Sequence, residues 1–420
     1  MNIHALLQWR YRHRVDPRVI ILGLGVTLGI ILITLNYLQP VIIRLLPNAI
    51  LLGLFIGSIY ALVALGYTMV YGILKFINFA HGEVFMWGGY FVYTFSVLGG
   101  VNFFIGCFVA VMLTTLMGIL IERIGYRPLR RAPRLAPLIT AIGFSLFLQS
   151  LAVYCFKADY RSISAPIGGV DAISSPVRLT LPSAPILSGI GIGVFALCYV
   201  FLHLRKRKNP ERKPSTMVEN LILLFLVLFS IFFVLSILNT PAADPASIFR
   251  SSVLLSIQLI DGIFLVTAVI VMIILHLIVK YTTLGKAMRA VSDDMDSASA
   301  VGIDVDRVIA STFALGSLVA GIGGILFGLK YCIYPYMGFL PGLKAFAAAV
   351  VGGIGNIYGA MIGGLIIGMA EQVGPVGLDM AGISGTPYQD AIVFIVLIIF
   401  LIIKPSGVMG KEHLVMSRGK

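Results

Sequence analysis

Uninterrupted apolar runs long enough to cross a lipid bilayer constrain this chain more than any other feature. One such run covers 19–38 and another covers 48–74, and a transmembrane helix needs about 20 apolar residues. A β-barrel would instead show alternating segments of about ten residues. Of the 420 residues, 59% are hydrophobic and 12% are charged, whereas soluble domains carry about 25% charged residues. We therefore predict an all-α integral membrane protein, a polytopic helical bundle.

The order of the apolar runs predicts a bundle of about ten spans. The predicted spans lie at 19–38, 48–74, from 84 onward, 103–121, 136–156, 185–204, 221–238, 257–280, 308–329 and 392–403. Short loops rich in Lys and Arg separate several spans, and such loops stay in the cytoplasm. Because the basic loops at 123–134 and 205–213 are then both inside, the N- and C-termini are predicted to be cytoplasmic.

Small residues at intervals of four indicate where helices are expected to pack closely inside lipid. Gly53, Gly57 and Ala61 form one such ridge on the second apolar run. The stretch 339–371 is rich in glycine over its whole length. It is predicted to form either one span or, in better agreement with its glycines, a re-entrant hairpin that turns at Gly355–Asn356.

Ionisable side chains within or beside the apolar runs are the first candidates for function. The segment 75–83, KFINFAHGE, carries Asn78, His81 and Glu83 between two apolar stretches. It either forms a turn with Glu83 near the N-terminus of the next helix, or it breaks a helix beside a polar cavity on the transport path. Asp261, near the outer end of its span, is interpreted as an interface residue that reaches water, with an ion or substrate contact as the alternative.

The longest polar passage in the second half of the chain is 281–307, and it is patterned. Leu284, Met288 and Val291 fall at i, i+4 and i+7, which is one face of a short helix. The Ser-Asp-Asp that follows supplies turn and N-cap chemistry for a second short helix before Gly302. Because apolar runs flank this passage, we predict a cytoplasmic loop that docks on a soluble partner.

The chain contains no recognisable site for ATP hydrolysis or for other catalysis. A GxxxxGK[ST] phosphate loop is absent, since Gly285–Lys286 lacks both the upstream glycine and the following Ser or Thr. The four cysteines are too scattered for metal spacing, so no metal or cofactor is expected. The net charge of +13 lies mainly in short loops, which argues against nucleic acid. The passage 281–307 favours a separate ATPase over an ion gradient as the energy source.

Several separated motifs carry a resemblance to a known family. GKAMRAVSDDMDSASAVGIDVDRV (285–308) resembles the cytoplasmic coupling loop of the permeases of ATP-binding-cassette importers. It is most similar to the branched-chain amino-acid type, the high-affinity leucine, isoleucine and valine permease. The resemblance extends through 57–83, 126–150, 342–371 and the final KPSGVMG at 404–410.

The resemblance implies that residues 1–420 form a single transmembrane permease domain containing a cytoplasmic coupling loop at 281–307. Two pieces depart from the compact family pattern. Residues 1–45 are expected to be an N-terminal extension with an extra span, and 184–257 an inserted pair of spans.

The resemblance also implies a function and a set of partners. The function is alternating-access import of hydrophobic or neutral amino acids of the branched-chain type across the plasma (inner) membrane. Two cytoplasmic ATPase subunits would use ATP, a second related permease or a second copy would complete the pathway, and a periplasmic or lipid-anchored binding protein would deliver substrate. Membrane lipid surrounds the subunit, and neither catalysis nor nucleic-acid binding is expected of it. The same machine carrying urea or short amides, or a gradient-driven carrier, are the alternatives.

Two groups of residues are candidates for the functional sites. ATPase coupling is expected at Leu284, Gly285, Ala287, Met288, Arg289, Ala290, Asp294 and Gly302. The face from Leu284 to Val291 would sit in a groove on the ATPase, so Met288→Asp should abolish uptake and leave the permease inserted. The substrate path is expected along Asn78, His81 and Glu83, with Gly352, Gly353, Gly355 and Asn356 on the opposite wall.

Overall fold

The structure, a computed structural model, describes residues 46–130, 132–133, 135–163, 176–181, 253–380 and 382–410. Its elements are α1 (Leu46–Leu74), α2 (His81–Val92), α3 (Phe103–Ile121), α4 (Leu135–Phe156), β1 (Pro176–Leu181), β2 (Val253–Gln258), α5 (Leu259–Tyr281), α6 (Thr283–Asp293), α7 (Met295–Ala300), α8 (Val305–Lys330), α9 (Phe339–Gly352), α10 (Ile357–Met380) and α11 (Gln389–Ile403). The second helix continues as π-helix over Tyr93–Leu98, and α3 continues through Glu122–Tyr126 and a 3₁₀ turn, Arg127–Leu129. A further 3₁₀ turn, Thr386–Tyr388, precedes α11.

Seven helices in the described part of the chain are long and apolar enough to cross a membrane. They are α1, α3, α4, α5, α8, α10 and α11. Here α3 is counted together with its continuation to Leu129, and α11 together with the 3₁₀ turn before it. The predicted class of polytopic helical membrane protein is thereby confirmed. One short addition is a two-stranded sheet formed by β1 and β2.

Some predictions concern residues outside the described ranges. These are the spans at 19–38, 185–204 and 221–238, the N-terminal extension 1–45, and all of the insertion 184–257 except its last residues. The described residues fall into two compact units. The larger takes its residues from 49–177, 257–378 and 384–420, and the smaller from 46–48, 178–256 and 379–383. The helices and sites discussed below are described within the larger unit.

The small-residue ridge on α1 packs directly against the backbone of α10. A methyl group added to Gly57 would lie 2.8 Å from the carbonyl oxygen of Gly364, and one added to Gly53 would lie 2.8 Å from the Cα of Met369. On the opposing helix, a methyl group on Gly364 would meet the Cα of Ala61 at 2.5 Å. The predicted close approach of helices is confirmed, because neither surface has room for one more carbon atom.

The second helix, α2, lies at the centre of the bundle and packs against α3, α4, α8 and α9. Eleven of its twelve residues are buried. Glycine permits its contact with α8, since a methyl group on Gly88 would lie 2.7 Å from the carbonyl oxygen of Gly321. A helix enclosed by protein does not need the length or the apolar surface of a lipid-facing span, which explains why α2 contains His, Glu and Trp.

The glycine-rich stretch forms one short helix and one full span. With 14 residues, α9 is about 21 Å long, less than the ~30 Å hydrocarbon core, whereas the 24 residues of α10 suffice to cross it. The turn between them holds Gly353 at φ 101° and Gly355 at φ 96°, which only glycine adopts readily. The predicted turn position is confirmed, but the prediction of two half-helices is wrong for the second of them.

Asp261 does not reach water as its interpretation required. It is only 1% exposed and forms an ion pair with Lys330 at the end of α8. Its carboxylate also accepts the backbone N–H of Gln258 at 3.3 Å and so caps α5. The interpretation as an interface residue is therefore wrong, since the charge is paired inside the protein between two helix ends.

Candidate functional site

The chain breaks after α1 and re-enters the bundle before α2 begins. Lys75 adopts φ 56°, and no helix covers 76–80. The polar side chains that follow are not in water, because Asn78, His81 and Glu83 are 4%, 1% and 1% exposed. The structure thus combines both predicted alternatives. The segment makes a turn, in which the His81 N–H donates to the Asn78 carbonyl at 3.1 Å, and this turn lies inside protein.

The side chains of Asn78 and His81 do not line the neighbouring cavity. The Tyr126 hydroxyl donates to Asn78 Oδ1 at 2.6 Å, which fixes the irregular segment against the end of α3. The His81 ring packs edge-on against Tyr67 with centroids 4.8 Å apart, and its Nε2 has no hydrogen-bond partner. A side chain at Gly66 would overlap that ring. Both residues support the break rather than facing a cavity.

Glu83, in the first turn of α2, is the predicted path residue that faces a cavity. Its Oε1 accepts hydrogen bonds from the amide of Gln149 at 2.7 Å and from the hydroxyl of Ser145 at 3.1 Å. Its Oε2 is buried without a hydrogen-bond partner. The cavity has a volume of about 620 Å³, within the ~300–1,000 Å³ typical of small-molecule sites.

The opposite wall of this cavity is formed by the approach to α9 and by its first turn. It includes Tyr334, Tyr336, Gly338, Phe339, Leu340, Gly342 and Leu343. Here α2 and α9 begin side by side. A methyl group on Gly82 would lie 2.5 Å from the carbonyl oxygen of Gly338, and one on Gly342 would lie 3.1 Å from the Cα of Gly82. Two short helices thus start at the same cavity from different parts of the chain.

The glycine turn between α9 and α10 does not line this cavity. The residues predicted on the path wall opposite Glu83 therefore lie elsewhere, namely Gly352, Gly353, Gly355 and Asn356. The turn instead receives the C-terminal segment 404–410. The N–H groups of Val408 and Met409 donate to the carbonyls of Val351 and Gly352 at 2.8 and 2.9 Å. The side-chain amide of Asn356 donates to the Met409 carbonyl at 3.2 Å. Glycine is required because both backbones approach closely.

Sequence reasoning missed Ser145, Gln149 and the residues around Gly338. Ser145 and Gln149 are four residues apart in the apolar helix α4, so they share one face. A polar pair at that spacing inside a span was a usable signal. Nothing local indicated that this face meets Glu83, which lies more than sixty residues earlier in the chain.

The passage 281–307 forms the two short helices that were predicted. The Thr282 hydroxyl accepts the Gly285 N–H at 3.1 Å and caps α6. Asp294 accepts the N–H groups of Asp296 and Ser297 at 2.9 and 3.1 Å and caps α7. The hydrogen bond from the Ser297 backbone, together with that from its hydroxyl, lowers the pKa of Asp294.

The apolar face of α6 packs on this chain itself. Met288 and Val291 are 5% and 1% exposed, and a methyl group on Gly285 would overlap the carbonyls that end α5. The prediction that this face fills a groove on an ATPase is therefore wrong. Met288→Asp would bury the new charge within this chain, so the substitution is expected to affect the permease itself; that it leaves the permease inserted stays a prediction.

The other coupling candidates differ in exposure. Leu284, Ala287 and Ala290 are half-buried and pack against the core, whereas Arg289, Asp294 and Gly302 are exposed. Val301, which the sequence reasoning did not select, is 77% exposed beside Gly302 at φ 88°. An apolar side chain this exposed, between two spans, is a better contact for a soluble partner than Met288.

A hydrogen-bonded contact joins α6 to the end of α1. The Ser292 hydroxyl donates to the Gly72 carbonyl at 2.6 Å. The Lys75 ammonium donates to the same carbonyl at 2.6 Å and lies 3.4 Å from the Ser292 oxygen. The passage 281–307 is thereby attached to the break that leads to Glu83.

The chain is similar in sequence to a known family of membrane proteins. Residues 49–161 and 170–401 match the family described as "Branched-chain amino acid transport system / permease component". The high-affinity branched-chain amino acid transport system permease protein LivH of Salmonella typhimurium is 34% identical over 373 residues, which cover 86% of this chain and 94% of that protein. BraD of Pseudomonas aeruginosa, described in the same words, is 33% identical over 370 residues, with 86% and 94% covered.

One solved structure is also similar in part. PsaBC from Streptococcus pneumoniae in complex with Fab matches with 12% identity over 86% of this chain and 92% of that chain. Its TM-score of 0.37 is too low to support a structural argument.

Proposed function

The chain belongs to the family of branched-chain amino acid transport system permease components, and from this premise we propose that it is the membrane-spanning subunit of an ATP-driven importer of hydrophobic or neutral amino acids. The observation that carries the proposal is the cavity beside Glu83. It places a buried carboxylate opposite an apolar wall, at the start of two short helices inside a helical bundle. Transporters commonly build substrate sites from discontinuous helices near the middle of the membrane.

The substrate path is proposed to run through this cavity. Phe339 and Leu340 on its wall are 52% and 41% exposed, so the cavity is open on that side within the single chain. A second permease subunit, either a relative or another copy, would close it and complete the pathway. In such a pair, alternating access would open the cavity first to the outside and then to the cytoplasm.

ATP hydrolysis is assigned to separate subunits that contact α6 and α7. Two cytoplasmic ATPase subunits, one for each permease, would bind the exposed side of these helices around Val301 and Arg289. Their closure on ATP would move α6, and the contact from Ser292 to Gly72 would pass that motion to the break before α2. A periplasmic or lipid-anchored binding protein would deliver the amino acid on the opposite side.

The proposed topology follows from the same assignment. With 281–307 in the cytoplasm, the ends of α3 and α8 that meet near it are also cytoplasmic. There Arg127 and Arg130 both pair with Asp306. Retention of basic residues on that side agrees with the positive-inside rule. The protein is accordingly assigned to the plasma (inner) membrane with both termini in the cytoplasm.

Reconstitution in proteoliposomes tests the proposal. The permease, its ATPase subunits and its binding protein should accumulate radiolabelled leucine when ATP is supplied, and not when ATP or the ATPase is left out. Uptake by the permease alone would identify a gradient-driven carrier and refute the proposal. ATP-dependent uptake of urea or acetamide in place of leucine would retain the machine and refute the substrate.

A further inference from the structure

Glu83 is a buried carboxylate for which the described part of the chain supplies no cation. It is 1% exposed, and no Lys, Arg or His in the described ranges forms an ion pair with it, while the carboxylates of Asp261, Glu122 and Glu371 all have such pairs. The residues that line its cavity include no basic side chain. Buried charges in proteins are normally paired, so the Glu83 carboxylate is an exception among the buried carboxylates named here.

Burial by itself disfavours a charge on Glu83, but several features around the carboxylate reduce that cost. Oε1 accepts two hydrogen bonds, from Ser145 and Gln149, and both stabilise the carboxylate form. Glu83 also lies in the first turn of α2. Its Oε2 lies beside the N-terminus of α9, where a methyl group on Gly338 would be 2.8 Å from it. The N-termini of both helices carry partial positive charge.

Oε2 is the atom left for a ligand. Gln149 and Ser145 occupy Oε1 and fix the carboxylate, so they are positioning residues. Oε2 has no partner in the described part of the chain. Beyond it, the cavity is bounded by apolar side chains, namely Phe79, Ile142, Leu146, Phe339, Leu340 and Leu343. The site therefore pairs one negative charge with an apolar surface.

We propose that Glu83 is the counter-ion for the ammonium group of the transported amino acid, and that the apolar wall receives the substrate's aliphatic side chain. This inference rests on the proposed function. It adds that recognition of the positive charge occurs within the permease itself as the substrate passes. Urea and short amides offer N–H donors without a charge, so they leave the buried carboxylate uncompensated.

Substitution of Glu83 by glutamine in the complete reconstituted transporter tests the role of the charge. Glu83→Gln keeps the size and a hydrogen-bonding amide but removes the charge, and should reduce leucine uptake at least about tenfold, as expected for loss of one charge-assisted pair. Glu83→Asp should retain more uptake than Glu83→Gln. Asp159→Asn, which removes a carboxylate charge at an exposed position outside this cavity, is the control and should transport at close to the wild-type rate, since exposed ion pairs contribute little.

Co-purification of the ATPase and basal ATP hydrolysis show whether each variant assembles. Leucine uptake by an assembled Glu83→Gln transporter at the wild-type rate and half-saturating concentration would overturn the inference. Failure of the wild-type transporter to import leucine would instead refute the proposed function, so the two outcomes are distinguishable.

A measurement on the unsubstituted protein decides the matter if Glu83→Gln does not assemble. Ligands that bind the folded state raise the midpoint of thermal unfolding. The permease–ATPase complex, without binding protein, is heated with 3-methylbutylamine or with 4-methylpentanoate, which are leucine without its carboxylate and without its ammonium group. The amine should raise the midpoint and the acid should not. Equal or greater stabilisation by the acid, or no stabilisation by the amine, would overturn the inference.

Discussion

The Ser292 hydroxyl donates a hydrogen bond of 2.6 Å to the backbone carbonyl of Gly72. Ser292 belongs to the short helix α6, and Gly72 to the last turn of α1. The carbonyl of Gly72 lies near the free C-terminal end of α1, where helix carbonyls lack partners within the helix. The contact therefore gives the Gly72 carbonyl a hydrogen-bond partner. It also attaches the passage 281–307 to the segment that carries Glu83.

Removal of this hydroxyl is predicted to weaken the transmission of motion more than it weakens the fold. Ser292→Ala forfeits one hydrogen bond, worth about 0.5–1.5 kcal/mol, and Lys75 still donates to Gly72. We expect the ratio of leucine imported to ATP hydrolysed to fall several-fold, with normal ATPase binding. Ser162→Ala, at an exposed serine outside 281–307, is the control. An unchanged ratio in Ser292→Ala would show that the contact is not part of coupling.

Substitution by aspartate is predicted to have different effects at two positions: loss of stability at Met288 and loss of ATPase binding at Val301. Met288→Asp buries an unpaired charge and should lower stability by about 2 kcal/mol or more. Val301→Asp alters a side chain that is 77% exposed, so it should leave the melting temperature unchanged and reduce recovery of the ATPase. Thermal unfolding of the isolated permease and co-purification of the complex measure the two effects. Full ATPase recovery with Val301→Asp would exclude that surface from the contact.

The sequence predicted those features that depend on local pattern. The bounds of spans followed from apolar runs, the cap Asp294 from residue type and spacing, and the ridge at Gly57 from its period of four. The sequence did not predict which surface covers a patterned face. The period that groups Met288 with Val291 is the same whether α6 packs on its own chain or on a partner.

Long-range contacts explain the remaining errors. The hydrogen bonds that place Glu83 in its cavity come from a helix more than sixty residues later. The partner of the glycine turn is a segment about fifty residues away, where Asn356 meets Met409. A glycine pattern indicates that backbone approaches backbone, but it carries no information about which backbone approaches.

Two glycine-to-alanine substitutions are predicted to change stability in opposite directions. Alanine favours helix over glycine by up to about 1 kcal/mol. Gly143, in α4, has open space where a methyl group would be placed, so Gly143→Ala should be neutral or stabilising. Gly57→Ala places that group 2.8 Å from the Gly364 carbonyl and should destabilise by about 1–3 kcal/mol. Thermal unfolding in detergent compares them, and equal midpoints would contradict the close packing of α1 on α10.

Asn356 performs two tasks that substitution can separate. Its Oδ1 accepts the N–H groups of Tyr358 and Gly359 at 3.0 and 3.1 Å, which caps α10. Its Nδ2 donates to the carbonyl of Met409 at 3.2 Å and holds the C-terminal segment. Aspartate keeps the cap, and its charge suits a helix N-terminus, but it replaces the donor with an oxygen facing a carbonyl oxygen. Alanine removes both interactions.

Hydrogen–deuterium exchange can resolve the two tasks of Asn356. We predict faster exchange over 404–410 in both Asn356→Asp and Asn356→Ala, because the segment loses its side-chain anchor. At the start of α10, exchange should accelerate only in Asn356→Ala, where loss of the cap costs about 1 kcal/mol. Equal protection of 404–410 in wild type and both variants would mean that the backbone bonds from Val408 and Met409 suffice to hold the segment. In that case the backbone of the glycine turn, with its two positive φ angles, would hold the segment 404–410 without the Asn356 side chain.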